Sequence, residues 1–226
     1  MLRDFLSLIF PRVCEACGKS LFTGESCICS YCMYHLPRTD FHLYDDNPVA
    51  KLFWGRTSIF SASSLYAFNK GSKVQHLIHQ LKYRGKKEIG ISLGKYYGKE
   101  LKTASSFSSA DMIIPVPLHR KKQRKRGYNQ SETFAQGLAE SMNIDILNDA
   151  LIRTHLSETQ TRKSRFARWK NVEHIFQVIA PEKIQGKHIL LVDDVITTGA
   201  TLEACANKIL EIPATKVSIA TIAVTV

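Results

Sequence analysis

No stretch of the 226-residue chain stays apolar for the roughly eighteen residues that a membrane-spanning helix needs, so no such span is expected. The opening MLRDFLSLIFPRVC faintly mimics a secretory leader. Its apolar stretch is short, is broken by Asp4 and Ser7, and lacks a small-residue cleavage site. It reads instead as an amphipathic first helix ending near Pro11, and the expected location is the cytoplasm. Neither an internal repeat nor a low-complexity tract is present, which sets aside repeat arrays and disordered polymers. Cysteine is scarce beyond residue 32: only Cys205 lies there, and it reads as a small buried residue. Acidic residues are outnumbered, 20 against 31 Lys and Arg, for a formal charge of +11. That balance favours polyanionic partners such as pyrophosphate, nucleotides or nucleic acid, with a generally basic surface as the alternative.

What the N-terminus does contain is cysteine. Five of the six cysteines fall between Cys14 and Cys32. Cys14-x2-Cys17 and Cys29-x2-Cys32 are two short pairs, each able to set two thiolates on one tetrahedral ion. Together they make a closed four-cysteine zinc site of structural rather than catalytic type. Eleven residues separate Cys17 from Cys29, and Gly18 and Gly24 supply turns among them. A segment this short cannot bury a core, so metal binding would supply its folding free energy. Disulfides are the alternative, and a cytoplasmic location argues against them. Cys27 is a rival to Cys29 as a ligand, with the less favourable spacing.

The remainder alternates. Residues 41–57 read as a linker rich in the turn formers Asp45, Asp46, Asn47 and Pro48. This divides the chain into a zinc-binding module (1–40), the linker, and a main domain (58–226). Strands are expected at 58–68, 112–116, 150–153, 174–178, 189–192 and 217–224. Val74, Leu77, Ile78 and Leu81 have helical spacing, with Gly85 as the stop. Further helices are expected over 89–101 and 131–142, the latter with Phe134, Leu138 and Met142 on one face. Strands alternating with helices imply an α/β fold with a doubly wound, mainly parallel sheet.

The densest chemistry lies in ILLVDDVITTGAT, residues 189–201. An apolar run reads as a buried parallel strand, and the loop beyond it lies where open α/β sheets bind ligands. Thr197, Thr198, Gly199, Ala200 and Thr201 offer hydroxyls, backbone N–H groups and a helix N-terminus, which suit a phosphate. Asp193 and Asp194 suit a ribose diol, directly or through Mg²⁺. A site for a ribose 5-phosphate follows; the alternative is an ordinary strand-to-helix turn with an Asp cap. A second strand, IIPV, ends in PLH and a basic loop in which six of seven residues, 120–126, are Lys or Arg. Residues 157–171 form a third, polar and cationic segment.

Residues 189–201 resemble the 5-phosphoribosyl-1-pyrophosphate (PRPP) motif of type I phosphoribosyltransferases. PVPLH with RGYNQ, LKY followed by a basic residue, and QT…R…NV are similar to segments of the ComF (competence protein F) family, which adds a cysteine-rich N-terminus to such a domain. The resemblance implies PRPP as substrate or ligand, with Mg²⁺ and a structural Zn²⁺. It implies that backbone N–H groups of Pro117, Leu118 and His119 hold pyrophosphate while Arg126 neutralises it. It makes 157–171 a hood that closes over PRPP, with Arg168 and Asn171 its foremost ligands, and closure would exclude water. Lys82 either reaches the pyrophosphate or is a cation stabilised by its helix C-terminus. Asp193 and Asp194 are the candidate catalytic groups, and no other residue stands out as a base. The resemblance further implies a part in DNA uptake, with single-stranded DNA and a helicase-like translocase as partners. Basic loops and the aromatics Tyr128, Phe166 and Trp169 would then meet the strand. Three functions fit: a phosphoribosyl transferase with an unknown acceptor, a non-catalytic DNA-handling protein, and a PRPP-responsive regulator. The pattern names what is bound, not what is transferred, and leaves the oligomeric state open.

Overall fold

The computed structural model describes residues 11–154 and 175–225. Strands are β1 (Ser61–Phe68), β2 (Met112–Pro115), β3 (Asp145–Ile146), β4 (Leu151–Arg153), β5 (Phe176–Val178), β6 (His188–Ile196) and β7 (Lys216–Thr225). Helices are α1 (Ser30–His35), α2 (Pro48–Lys51), α3 (Lys73–Tyr83), α4 (Lys87–Leu101), α5 (Ser105–Ser108), α6 (Arg120–Arg126), α7 (Gln130–Met142), α8 (Pro181–Ile184) and α9 (Ala200–Leu210). Five strands form one parallel sheet in the order β1-β7-β6-β2-β3. β6 is central, and its residues Ile189 to Val192 are fully buried, as a strand covered on both faces must be. Leu77, Leu81, Leu93, Tyr97 and Phe134 fill the core on one side of the sheet. Val49, Phe53, Leu202, Cys205 and Ile209 fill it on the other.

The helices lie close to the expected positions for the expected reasons. Ser72 caps α3 by accepting the N–H of Gln75, and Val74, Leu77, Ile78 and Leu81 are its buried face. α4 and α7 pack with almost no side chain between them. A Cβ on Gly94 would strike the Phe134 carbonyl, and one on Gly137 would strike that of Ile91. The backbones therefore touch directly.

Three expectations need correction. The basic loop is the helix α6: His119 caps it, its Nδ1 accepting from Lys121 N–H, and Gly127 ends it at φ 79°. Lys, Arg and Gln are good helix formers, so seven such residues between a cap and a left-handed glycine wind up. The strands near 150 and 176 do not join the parallel sheet. β4 and β5 pair antiparallel with each other, Ile152 opposite Gln177. Finally, β6 runs on to Ile196, so Asp193 and Asp194 sit within the strand and not in the loop beyond it.

The 41–57 stretch, expected as a linker, is packed. Asn47 caps α2 by accepting from Val49 and Ala50 N–H and donates to the carbonyls of Tyr44 and Ala62. Val49 and Phe53 are fully buried in the main core. The cysteine module rests on the N-terminal half of α4. Ser26 bonds Ser92, Cys27 Sγ donates to the Glu88 carbonyl, and Lys86 pairs with Glu15.

Candidate functional site

β2 and β6 are parallel neighbours, with Pro115 opposite Val192, so their carboxyl ends open on the same edge. That register sets the turn at 117–119 beside the carboxyl-terminal part of β6, which carries Asp193 and Asp194. Polar contacts link the end of β2 to those carboxylates. Val116 N–H donates to the Val192 carbonyl, and Asn129 Nδ2 donates to that of Val116. Asn129 also caps α7 by accepting from Ser131 N–H, and Ser131 Oγ donates to Asp193 Oδ1 at 2.7 Å. The same Asp193 oxygen accepts the N–H of Asp194. Asp194, only 8% exposed, pairs with Lys82 Nζ at 3.1 Å. An unbroken line of polar contacts thus runs from Val116 to Lys82. Burial and the neighbouring Asp194 charge push the Asp193 carboxyl up to about 7, against the Ser131 and Asp194 donors, which favour its ionised form.

The loop after β6 is an anion cradle in form. Thr197, Thr198, Ala200 and Thr201 are exposed, and Gly199, at φ 78°, takes a left-handed turn into α9. These residues and Asp193 line a small cavity of about 50 Å³. The eleven-residue α9 directs its N-terminal dipole there. A Cβ on Gly199 would lie 3.4 Å from the Phe53 ring, so the packed 41–57 stretch supports the loop from behind. Arg56 adds to this support, donating to the carbonyls of Thr198 and Leu52 and pairing with Glu203.

Beside the carboxylates lies a cationic cleft of about 310 Å³ lined by Lys82, Tyr83, Gly85, Lys122, Lys125 and Arg126. Arg126 lies over the Tyr83 ring, 5.2 Å from its centroid, and donates to Gln130 Oε1. Pro117 has no N–H, so the backbone donors of the 117–119 turn are those of Leu118 and His119. Tyr128, expected as a stacking surface, is buried at 7% exposure, and its hydroxyl donates to the Leu81 carbonyl. It ties α3 to the start of α7 and offers no face to a base. Arg168, Asn171, Phe166 and Trp169 fall outside the described residues.

Sequence reading misses Ser131, Asn129 and Arg56. Asn129 and Ser131 do lie in the segment GYNQS with the spacing of an Asx cap, which is the available signal. Arg56 carries no local mark of its role.

The Sγ atoms of Cys14, Cys17, Cys29 and Cys32 all lie within 4.8 Å of one another. Cys17 and Cys29 are 3.8 Å apart. A tetrahedral ion with zinc–sulfur bonds of ~2.3 Å requires sulfurs ~3.8 Å apart, so the set fits zinc. Backbone N–H groups of Ala16 and Cys29 donate to Cys14 Sγ, and that of Cys32 to Cys29 Sγ. Such donors stabilise thiolates, as a metal site requires. The Lys19 backbone donor is the main reason that the Cys17 thiol falls to about 7. Cys27 is directed away, toward α4.

The chain is similar to known proteins over much of its length. Residues 128–224 match the phosphoribosyl transferase domain family. The DNA utilization protein YhgH of Escherichia coli K12 is 29% identical over 219 residues, covering 90% of this chain and 92% of that one. Competence protein F of Haemophilus influenzae is 34% identical over 105 residues, 46% of each chain. The chain is a homologue of competence protein F. Competence protein ComFC of Bacillus subtilis is 29% identical over 153 residues, covering 66% of this chain and 57% of its own. Among solved structures, the glutamine PRPP amidotransferase of B. subtilis aligns over 63% of this chain and 30% of its own, at 23% identity and a TM-score of 0.44. The domain match and the parallel sheet together make this a phosphoribosyltransferase-like α/β fold, here bearing a four-cysteine module. Among the described residues no helix is long and apolar enough to cross a membrane.

Proposed function

We propose that this protein binds PRPP with Mg²⁺ in the cleft between the β2 and β6 ends, transfers its phosphoribosyl group to an acceptor, and serves DNA uptake. The observation that carries the reading is the line Ser131–Asp193–Asp194–Lys82 placed between an anion cradle and a cationic cleft. Thr197, Thr198, Gly199, Ala200 and Thr201 take the 5-phosphate. Asp193 and Asp194 hold the ribose hydroxyls. Leu118 and His119 N–H groups take the pyrophosphate, with Arg126 and the α6 cations about it, and Arg168 and Asn171 are further ligands. Mg²⁺, when bound, neutralises charge on the departing pyrophosphate. The cationic cleft stabilises the same charge as it develops. Cys14, Cys17, Cys29 and Cys32 hold a structural zinc. The competence names of the relatives carry the link to DNA uptake.

Calorimetry with PRPP and Mg²⁺ tests binding, and release of pyrophosphate with a panel of bases and amines tests transfer. Saturable binding is expected, and Asp194→Asn should weaken it at least about tenfold, in the range for a lost charged hydrogen bond. Absence of binding at millimolar PRPP would overturn the proposal. Binding without turnover on any acceptor would remove the transfer step and leave a PRPP-responsive protein. A second reading, single-stranded DNA binding, is favoured by the exposed cations Arg120, Lys121, Lys122, Arg124 and Lys125 on one short helix. It expects affinity to fall steeply between low and moderate salt; a flat response would sink it.

A further inference from the structure

The cation that meets Asp194 in this structure belongs to the chain itself. Lys82 lies at the last turn of α3, and its ammonium is 3.1 Å from Asp194 Oδ1. The same residue lines the cationic cleft with Lys122, Lys125 and Arg126. Lys82 therefore stands on the boundary between the two halves of the site, within reach of a carboxylate on one side and of any anion on the other. A divalent cation or a ribose diol at Asp194 would compete with Lys82 for Oδ1, and a divalent cation would repel the ammonium at this distance.

We propose that Lys82 is an exchangeable counter-ion. It neutralises Asp194 when the site is empty and passes to the pyrophosphate when that anion fills the cleft, which frees Asp194 for the ribose hydroxyls or the divalent ion. Filling one half of the site then prepares the other, a coupling that is reciprocal by thermodynamic linkage. The exchange also accounts for the cleft's composition: Lys122, Lys125 and Arg126 draw in an anion whose arrival gives Lys82 a new partner. The inference rests on the ribose–pyrophosphate reading above.

The test uses the full chain as wild type, Lys82→Met and Lys82→Arg, with Mg²⁺ alone, inorganic pyrophosphate alone and ribose 5-phosphate alone as calorimetric probes. Loss of the counter-ion should move two affinities in opposite directions. Lys82→Met should bind Mg²⁺ about five- to tenfold more tightly and pyrophosphate about tenfold more weakly, magnitudes typical of coupled sites. Lys82→Arg should restore pyrophosphate binding. In the wild type, saturating pyrophosphate should improve ribose 5-phosphate binding about fivefold, and in Lys82→Met that ratio should fall to near one. A merely structural lysine would shift all three affinities the same way, and that result overturns the proposal. So does unchanged Mg²⁺ affinity in Lys82→Met. If Lys82→Met fails to fold, Lys82→Gln with the Mg²⁺-induced rise in melting temperature decides the same question: a rise no larger than the wild type's refutes the exchange. Failure of the wild type to bind ribose 5-phosphate or PRPP would instead sink the parent reading, and the exchange with it.

Discussion

Asp193 is held where its ionisation is costly. Its carboxyl titrates at about 7 in the fold against an ordinary 3.8, from burial first and from Asp194 second. A carboxyl whose pKa is raised on folding binds its proton more tightly when folded. Its destabilising effect is absent below pH 3.8, grows as pH rises, and is complete above about 7. Asp193→Asn carries no such charge. The variant should nearly match the wild type in stability near pH ~4 and exceed it by up to about 4 kcal/mol at pH ~8. Urea midpoints at the two pH values measure this, and an equal difference at both would show that the carboxyl is not raised. Arg56 carries a separate expectation. Arg56→Ala removes the donors to Thr198 and Leu52 carbonyls, so ribose 5-phosphate binding should weaken several-fold while pyrophosphate binding holds.

Between elements, the α4–α7 contact is the sharpest packing constraint. Gly137→Ala should destabilise by about 1–3 kcal/mol, the usual cost of overpacking, because backbone of α4 has nowhere to retreat. Thermal unfolding would register it, and an unchanged midpoint would mean that the helices part easily. This scale also shows where sequence is readable. α3, α4 and α7 declare themselves through apolar spacing, and Asp193 to Thr201 through chemistry contiguous along the chain. The glycines at 90, 94 and 98 recur every fourth residue, a stripe whose meaning appears only when α7 lies on it. Ser131 and Arg56 join the site from 62 and 142 residues away from their partners, Asp193 and Thr198. Such contacts depend on strand order, which no local pattern encodes. The 120–126 run misleads in sequence because its charges point to a ligand, while its helix propensity and its caps decide its shape.

For the whole molecule, the cysteine module is part of the same packed body: Cys14, Cys32, Ile28 and Leu36 join the core that holds Leu81 and Phe134. Chelation of the metal, or Cys14→Ser, should therefore lower the melting temperature of the entire chain rather than of a detached appendage. Cys27→Ser should leave about one zinc per chain by atomic absorption, since Cys27 is directed at Glu88. Two separate transitions, or zinc lost with Cys27, would contradict this. The bare contact between Gly94 and Gly137 has one more consequence. Interleaved side chains can absorb a small displacement by changing rotamer, but two backbones in touch have no such slack. α4 carries the four-cysteine module, and α7 carries Ser131 at its first turn. A tilt imposed on one helix therefore meets no layer of side chains before it reaches the other. The cysteine cluster and the carboxylate pair are thereby linked through one directly packed pair of helices.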